Sequence, residues 1–163
     1  MRRASAALLS LILAALIAGG AWGAERPSVR KIVVNLPFEE AELILTSEAQ
    51  RQNLNLVNVL DIRKGMENRG GTFRKFKIYQ FCNLELGIRI YADSPDYGAF
   101  QLCSVLIYEV DKSLTALVSS RQSWIIQALP DHRPGPDALA AARQFERIID
   151  EIFAAVAEEA KGK

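Results

Sequence analysis

Hydrophobic and polar positions change period several times along the chain, and each change marks an element. Lys31–Leu36 (KIVVNL) is β-branched with Ile32 and Val34 on one side, which predicts a first strand. Pro37 supplies a fixed φ suited to a first helical turn, and Glu39 and Glu40 lie near the positive end of the dipole. Phe38, Ala41, Leu45 and Ala49 then recur at helical spacing, so Pro37–Gln52 is expected to be an amphipathic helix. Leu54, Leu56, Leu60 and Ile62 fall at even spacing and predict a strand over Leu54–Arg63 with those four on one face. Lys64–Thr72 is rich in glycine and charge and reads as a loop. Lys75–Phe81 alternates again, with Phe76, Ile78 and Gln80 on one face and Lys77, Tyr79 and Phe81 on the other.

Asn83 is placed to cap a short helix over Leu84–Ala92, with Leu84, Gly87, Ile88 and Tyr91 along one stripe; Asp93–Ser94–Pro95 ends it, because proline disfavours helix in its predecessor. Phe100–Val110 and Leu114–Ser120 are β-rich and joined by the tight turn Asp111–Lys112–Ser113, predicting an antiparallel hairpin, and apolar Trp124–Leu129 is expected to extend its second arm past a bend. His132–Asp137 breaks the pattern. Leu139, Ala142, Phe145, Ile148, Ile149, Ile152, Phe153 and Val156 then repeat at three-and-four spacing, opposite Arg143, Glu146, Arg147, Asp150 and Glu151. Such a helix needs a layer to cover it. The element order predicts an α+β fold in two layers, a largely antiparallel sheet with helices packed on one face, forming a single domain over residues 31–160. If one sheet face stays uncovered, it is expected to be polar or to pair with a second subunit as a homodimer.

The N-terminus changes the setting. Arg2 and Arg3 precede the uncharged run Ala4–Ala18, in the order of a secretory signal, and the run is shorter than the roughly twenty residues a bilayer span needs. Ala21–Trp22–Gly23 and Gly19–Gly20–Ala21 both satisfy the small-x-small pattern at a cut site, so Met1–Gly23 is expected to be cleaved and the mature chain to be exported, most simply to a periplasm, with no stable membrane insertion. Cleavage removes Arg2 and Arg3 from the 20 basic residues and none of the 19 acids, leaving a net charge of −1, which argues against nucleic acid as a partner. About 140 residues remain, enough to bury roughly 70% of the unfolded surface in one core.

The block around the two cysteines carries a recognisable arrangement: Phe81–Cys82–Asn83, the helix Leu84–Ala92, the turn Asp93–Ser94–Pro95, Gly98, Cys103, and the strand ending Leu106–Ile107–Tyr108–Glu109. It resembles the family catalogued as domain of unknown function number 302, over about Lys31–Ser120. Leu84 and Leu102 stand where members of that family commonly have proline, so both junctions are expected to be looser here. The resemblance implies a compact α+β fold and a tendency to dimerise, and it supplies no activity.

Cys82 and Cys103 are the first candidates for chemistry, and three readings stay open. In an exported chain they can pair, closing a loop of about twenty residues worth roughly 3 kcal/mol if their Cα atoms come within about 7 Å. They can be small buried hydrophobes. They can also be a functional thiol pair that cycles redox state or holds a metal or haem. Metal binding has little support, because close-spaced ligands are absent and the single histidine, His132, lies between Asp131 and Arg133 in a breaker loop, where a solvated role is expected; a cuprous site would have to recruit Met66. No cofactor and no metal site are therefore expected. Nucleophilic catalysis lacks a neighbouring base, Lys64–Gly71 lacks the lysine-serine ending of a phosphate loop, and the cluster Arg69, Arg74, Lys75 and Lys77 reads as a solvated strand edge. With no catalytic residues identified, the pattern points away from an enzyme. The leading expectation is a binding domain for a small molecule or protein, with Cys82, Asn83 and Cys103 at the site; the alternatives are a thiol redox protein using the same cysteines and a structural homodimer.

Overall fold

The computed structural model describes residues 28–100 and 103–162. The expected signal peptide, Met1–Gly23, and the junction at Leu102 lie outside the described residues. In order, the elements are β1 (Val29–Val34), α1 (Phe38–Arg51), β2 (Asn55–Asp61), α2 (Ile62–Glu67), β3 (Phe76–Cys82), α3 (Leu84–Tyr91), a 3₁₀ turn (Pro95–Phe100), β4 (Ser104–Glu109), β5 (Thr115–Ser120), α4 (Gln122–Ala128) and α5 (Pro136–Glu159). The strands form one five-stranded antiparallel sheet in the order β1-β5-β4-β3-β2. This is the expected α+β arrangement.

The register explains which face the helices cover. Ile32 and Ile107 both stand opposite Leu117, and Val105 stands opposite Tyr79, so Val34, Leu117, Ile107, Val105, Tyr79 and Phe81 share one face, and all six are buried. Against that face lies α5, burying Phe145, Ile149, Ile152, Phe153 and Val156, while α1 adds Phe38, Ala41, Leu45 and Ala49 beside it. The other face carries Val33, Val118, Leu106, Ile78, Phe76, Tyr108 and Leu60, half-buried or exposed, and among the described residues no α-helix packs over it, only Phe100 of the 3₁₀ turn lying beside Ile78, Leu106 and Val118.

Five local expectations are corrected. A bulge at Val57 puts Leu56 opposite Phe81 and Leu60 opposite Ile78, so these leucines point to opposite faces rather than one; the extra residue inverts the alternation. Part of the expected loop Lys64–Thr72 belongs to α2, because the Asp61 carboxylate accepts from Lys64 N at 2.9 Å and starts a helical turn there. Phe100 closes the 3₁₀ turn instead of opening β4. Trp124–Leu129 does not extend the hairpin: Gln122–Ala128 is α4, which packs Ile126 into the core and lies against α5. Glu146, expected on the solvent side of the last helix, is buried and accepts from Ser123 N at 2.7 Å, holding the first turn of α4.

His132 is the remaining departure, since it is tied down rather than merely solvated. The Asp93 carboxylate accepts from Gly135 N at 3.2 Å and from Tyr97 Oη at 3.4 Å, and His132 Nε2 lies 3.1 Å away. A carboxylate only accepts, so His132 carries its proton on Nε2 in this pair. The rings of His132 and Tyr97 also meet edge to face, with centroids 5.3 Å apart. Asp93 thereby pins the breaker loop and the start of α5 to the end of α3. The Gly135 amide first, and His132 second, hold its carboxyl below the usual range.

A group with a depressed folded pKa stabilises the fold above its unfolded value and loses that contribution as pH falls through the folded one. The melting temperature should therefore decline below about pH 4, and Asp93→Asn should flatten that decline. Gly135→Ala places a Cβ 2.7 Å from Asp93 Oδ1 and should lower Tm by about 3–6 °C at neutral pH. Calorimetry across pH tests both, and an unchanged acid slope in Asp93→Asn would remove this role.

Candidate functional site

The site is assembled at the end of the β3–β4 ladder. Phe81 N donates to Cys103 O at 2.8 Å, so the pairing begins one residue before β4 and brings Cys103 beside the end of β3, where Cys82 ends the strand. The next residue, Asn83, caps α3 as expected, its Oδ1 accepting from Leu86 N at 3.1 Å. These residues line a recess of about 260 Å³ together with Gly87, Tyr91 and Gly98. Hence all three predicted site residues, Cys82, Asn83 and Cys103, meet in one concavity.

The stripe Leu84, Gly87, Ile88 and Tyr91 exists, but it does not face the core. Leu86 and Ile90 supply the buried face of α3, while Leu84 and Ile88 are each 69% exposed. Apolar residues occupy both sides of this short helix, so spacing alone could not choose between them, and packing against α5 did. As a result Gly87 and Tyr91 line the recess, and Leu84 and Ile88 are exposed on the same side of α3. Val57, pushed out by the bulge and 68% exposed, lines the recess from β2. Sequence reasoning missed Tyr91 and Val57 as site residues. The register shift that signals Val57 is invisible without the partner strand.

Both cysteines are free thiols and half-buried. Burial first, and the neighbouring Cys82 second, push the Cys103 thiol up to about 12. The Tyr91 hydroxyl is also raised, by burial first and then by Cys103 and Cys82, with which it lines the recess. At neutral pH Cys103 is a protonated, apolar contact group rather than a nucleophile. Met66 is not among the residues lining the recess, and among the described residues no group of three or more His, Cys, Asp and Glu side chains could hold a metal ion.

A helix-covered antiparallel sheet with a cysteine-lined recess at one strand end defines an α+β domain. Residues 30–152 match the family described as "Domain of unknown function DUF302", and the chain belongs to that family. The crystal structure of an uncharacterized conserved DUF302 protein from Bacillus stearothermophilus superposes with a TM-score of 0.69, covering 79% of this chain and 98% of that one at 14% identity, and so shares the fold. An uncharacterized protein of Aquifex aeolicus (strain VF5) is 22% identical over 85 residues, 52% of this chain and 54% of that protein. The chain thus matches about half the length of that curated relative.

Thiol chemistry should follow the burial. In a Cys82→Ser variant, Cys103 should react with iodoacetamide at pH 8 many times more slowly than after unfolding, because burial, the larger cause of its raised pKa, is kept. Counting thiols in denaturant without reductant should give both cysteines free. Fast labelling of Cys103, or no free thiol at all, would contradict this description.

Proposed function

We propose that this protein is an exported, non-enzymatic binding domain whose site is the recess lined by Cys82, Asn83 and Cys103, and that its ligand is a small, largely apolar molecule. One observation carries this reading: the recess gathers two thiols, two glycines, the Tyr91 ring and the exposed Val57, and the exposed Leu84 and Ile88 lie on the same side of α3 as Gly87 and Tyr91. Exposed apolar side chains around a concavity offer a surface from which an apolar ligand displaces water. The volume of about 260 Å³ fits a compact molecule rather than a peptide. A redox cycle between the same cysteines has less support, since the raised Cys103 thiol disfavours thiolate exchange.

The probe for this reading is indole, titrated into the isotopically labelled protein. It should shift the backbone amides of Gly87 and Gly98 in a saturable manner. Gly98→Val, at a position where a new Cβ would stand 3.9 Å from Tyr91, should fill the recess and weaken binding at least about tenfold while the fold is kept. Shifts scattered elsewhere, or equal affinity in the variant, would overturn it.

The uncovered sheet face favours a second reading, in which two copies associate. Val118, Leu106 and Ile78 lie side by side there, Val33 stands in the neighbouring row with Ala116 and Tyr108, and the charge beside Val118, Lys31, sits over the Tyr108 ring at 5.5 Å. A face so poor in charge is complementary to another copy of itself rather than to a charged partner. Five strands of about six residues present on the order of 500 Å² in projection, the scale of an exchanging dimer rather than a permanent one. Light scattering should show a mass rising toward the dimer at high concentration, and Val33→Lys should hold the protein at monomer mass. A wild-type mass that stays monomeric at about 100 μM would eliminate this interface.

A further inference from the structure

A second concavity lies away from the cysteines, between α4 and α5, and at about 740 Å³ it is larger than the cysteine recess. Its walls carry the guanidinium groups of Arg121, Arg143 and Arg147, the Trp124 ring, and the carboxylates of Glu146 and Asp150. Their charges pair off only in part: Arg121 makes long ion pairs with Glu146 and Asp150, while Arg143 and Arg147 make none among the described residues. One oxygen of Glu146 is taken by Ser123 N at 2.7 Å, and one of Asp150 by Arg30 Nε at 2.7 Å. The remaining oxygens stand 3.7 and 3.8 Å from Arg121 Nη1, beyond hydrogen-bond reach. Arg121 Nε is buried with no acceptor. Arg143 and Arg147 have no ion-pair or hydrogen-bond partner among the described residues.

The cleft therefore holds more guanidinium donors than acceptors, beside an indole that is 42% exposed. Guanidinium forks suit carboxylates geometrically, and an indole face suits a flat apolar body. We infer that the α4–α5 cleft is a binding site for a small organic carboxylate with a planar body, held by Arg121, Arg143 and Arg147 and stacked on Trp124. The alternation of arginine and acid along α5 serves this site: Arg143 and Arg147 are one turn apart on the same side of the helix, and Glu146 and Asp150 orient Arg121 from below. Unlike the cysteine recess, which is apolar, this site selects by charge.

Benzoate is the probe, and Trp124 emission in the full chain carrying Trp22→Phe is the readout. At constant ionic strength benzoate should quench Trp124 saturably. Neutral benzamide and inorganic phosphate should each bind at least about tenfold more weakly, the first lacking the charge and the second the flat body. Arg143→Gln with Arg147→Gln, both at exposed positions, should abolish saturation without changing the melting transition. Gly98→Val should leave benzoate binding unchanged, which separates this site from the cysteine recess. Equal binding of benzamide, binding of phosphate as tight as that of benzoate, or wild-type titration by the double arginine variant would each overturn the inference.

Discussion

Burial of the apolar stripe of α5 against the sheet is the constraint on which the rest depends. Phe145, Ile149, Ile152, Phe153 and Val156 are each almost wholly removed from water. At roughly 1.5–3 kcal/mol per such side chain, their burial contributes on the order of 10 kcal/mol. That is comparable to the whole net stability of a domain of this size. A sheet without this helix would leave its inner face wet, so the other helices are arranged around α5 rather than around one another.

Both concavities follow from that arrangement. Arg89 of α3 binds Asp137 at 2.6 Å and Gln144 at 3.3 Å, so α3 runs beside the first turns of α5, where buried Ala138, Ala141 and Ala142 allow close approach. With Leu86 and Ile90 used for that contact, the opposite side of α3 is left facing the end of the β3–β4 ladder, and the recess opens there. Midway along its length α5 meets the short α4, whose first turn is held by Glu146, and the arginine-lined cleft lies between the two helices. Asp93 completes the frame by tying the loop before α5 to the end of α3.

Much of this was legible. Lys77, Tyr79 and Phe81 do share the covered face of β3, Asn83 does cap α3, and Asp111–Lys112–Ser113 does turn the hairpin, where the Asp111 carboxylate accepts from Ser113 N and Leu114 N at 2.8 Å each. These features depend on neighbours within a few residues, and local spacing encodes them. Trp124–Leu129 misled because six mostly apolar residues fit a strand or a helix equally well; the buried Glu146, distant in sequence, supplies the contact that settles it as helix. The stripe of α3 misled for the same reason, with apolar residues on every side.

The sequence by itself determined the α+β class, the long amphipathic helix, the hairpin, and the membership implied by the cysteine block, because each rests on periodicity or on a short motif. Tertiary structure decided which side of α3 is buried, which residue of β2 bulges, and which arginines of α5 are left without acids. The physical reason is common to all three. Each is a competition between alternatives of similar local energy, and the outcome is set by contacts between residues far apart in the chain. Cys82 and Cys103 were visible as a pair from the start; only the β3–β4 register and the orientation of α3 made their surroundings a recess.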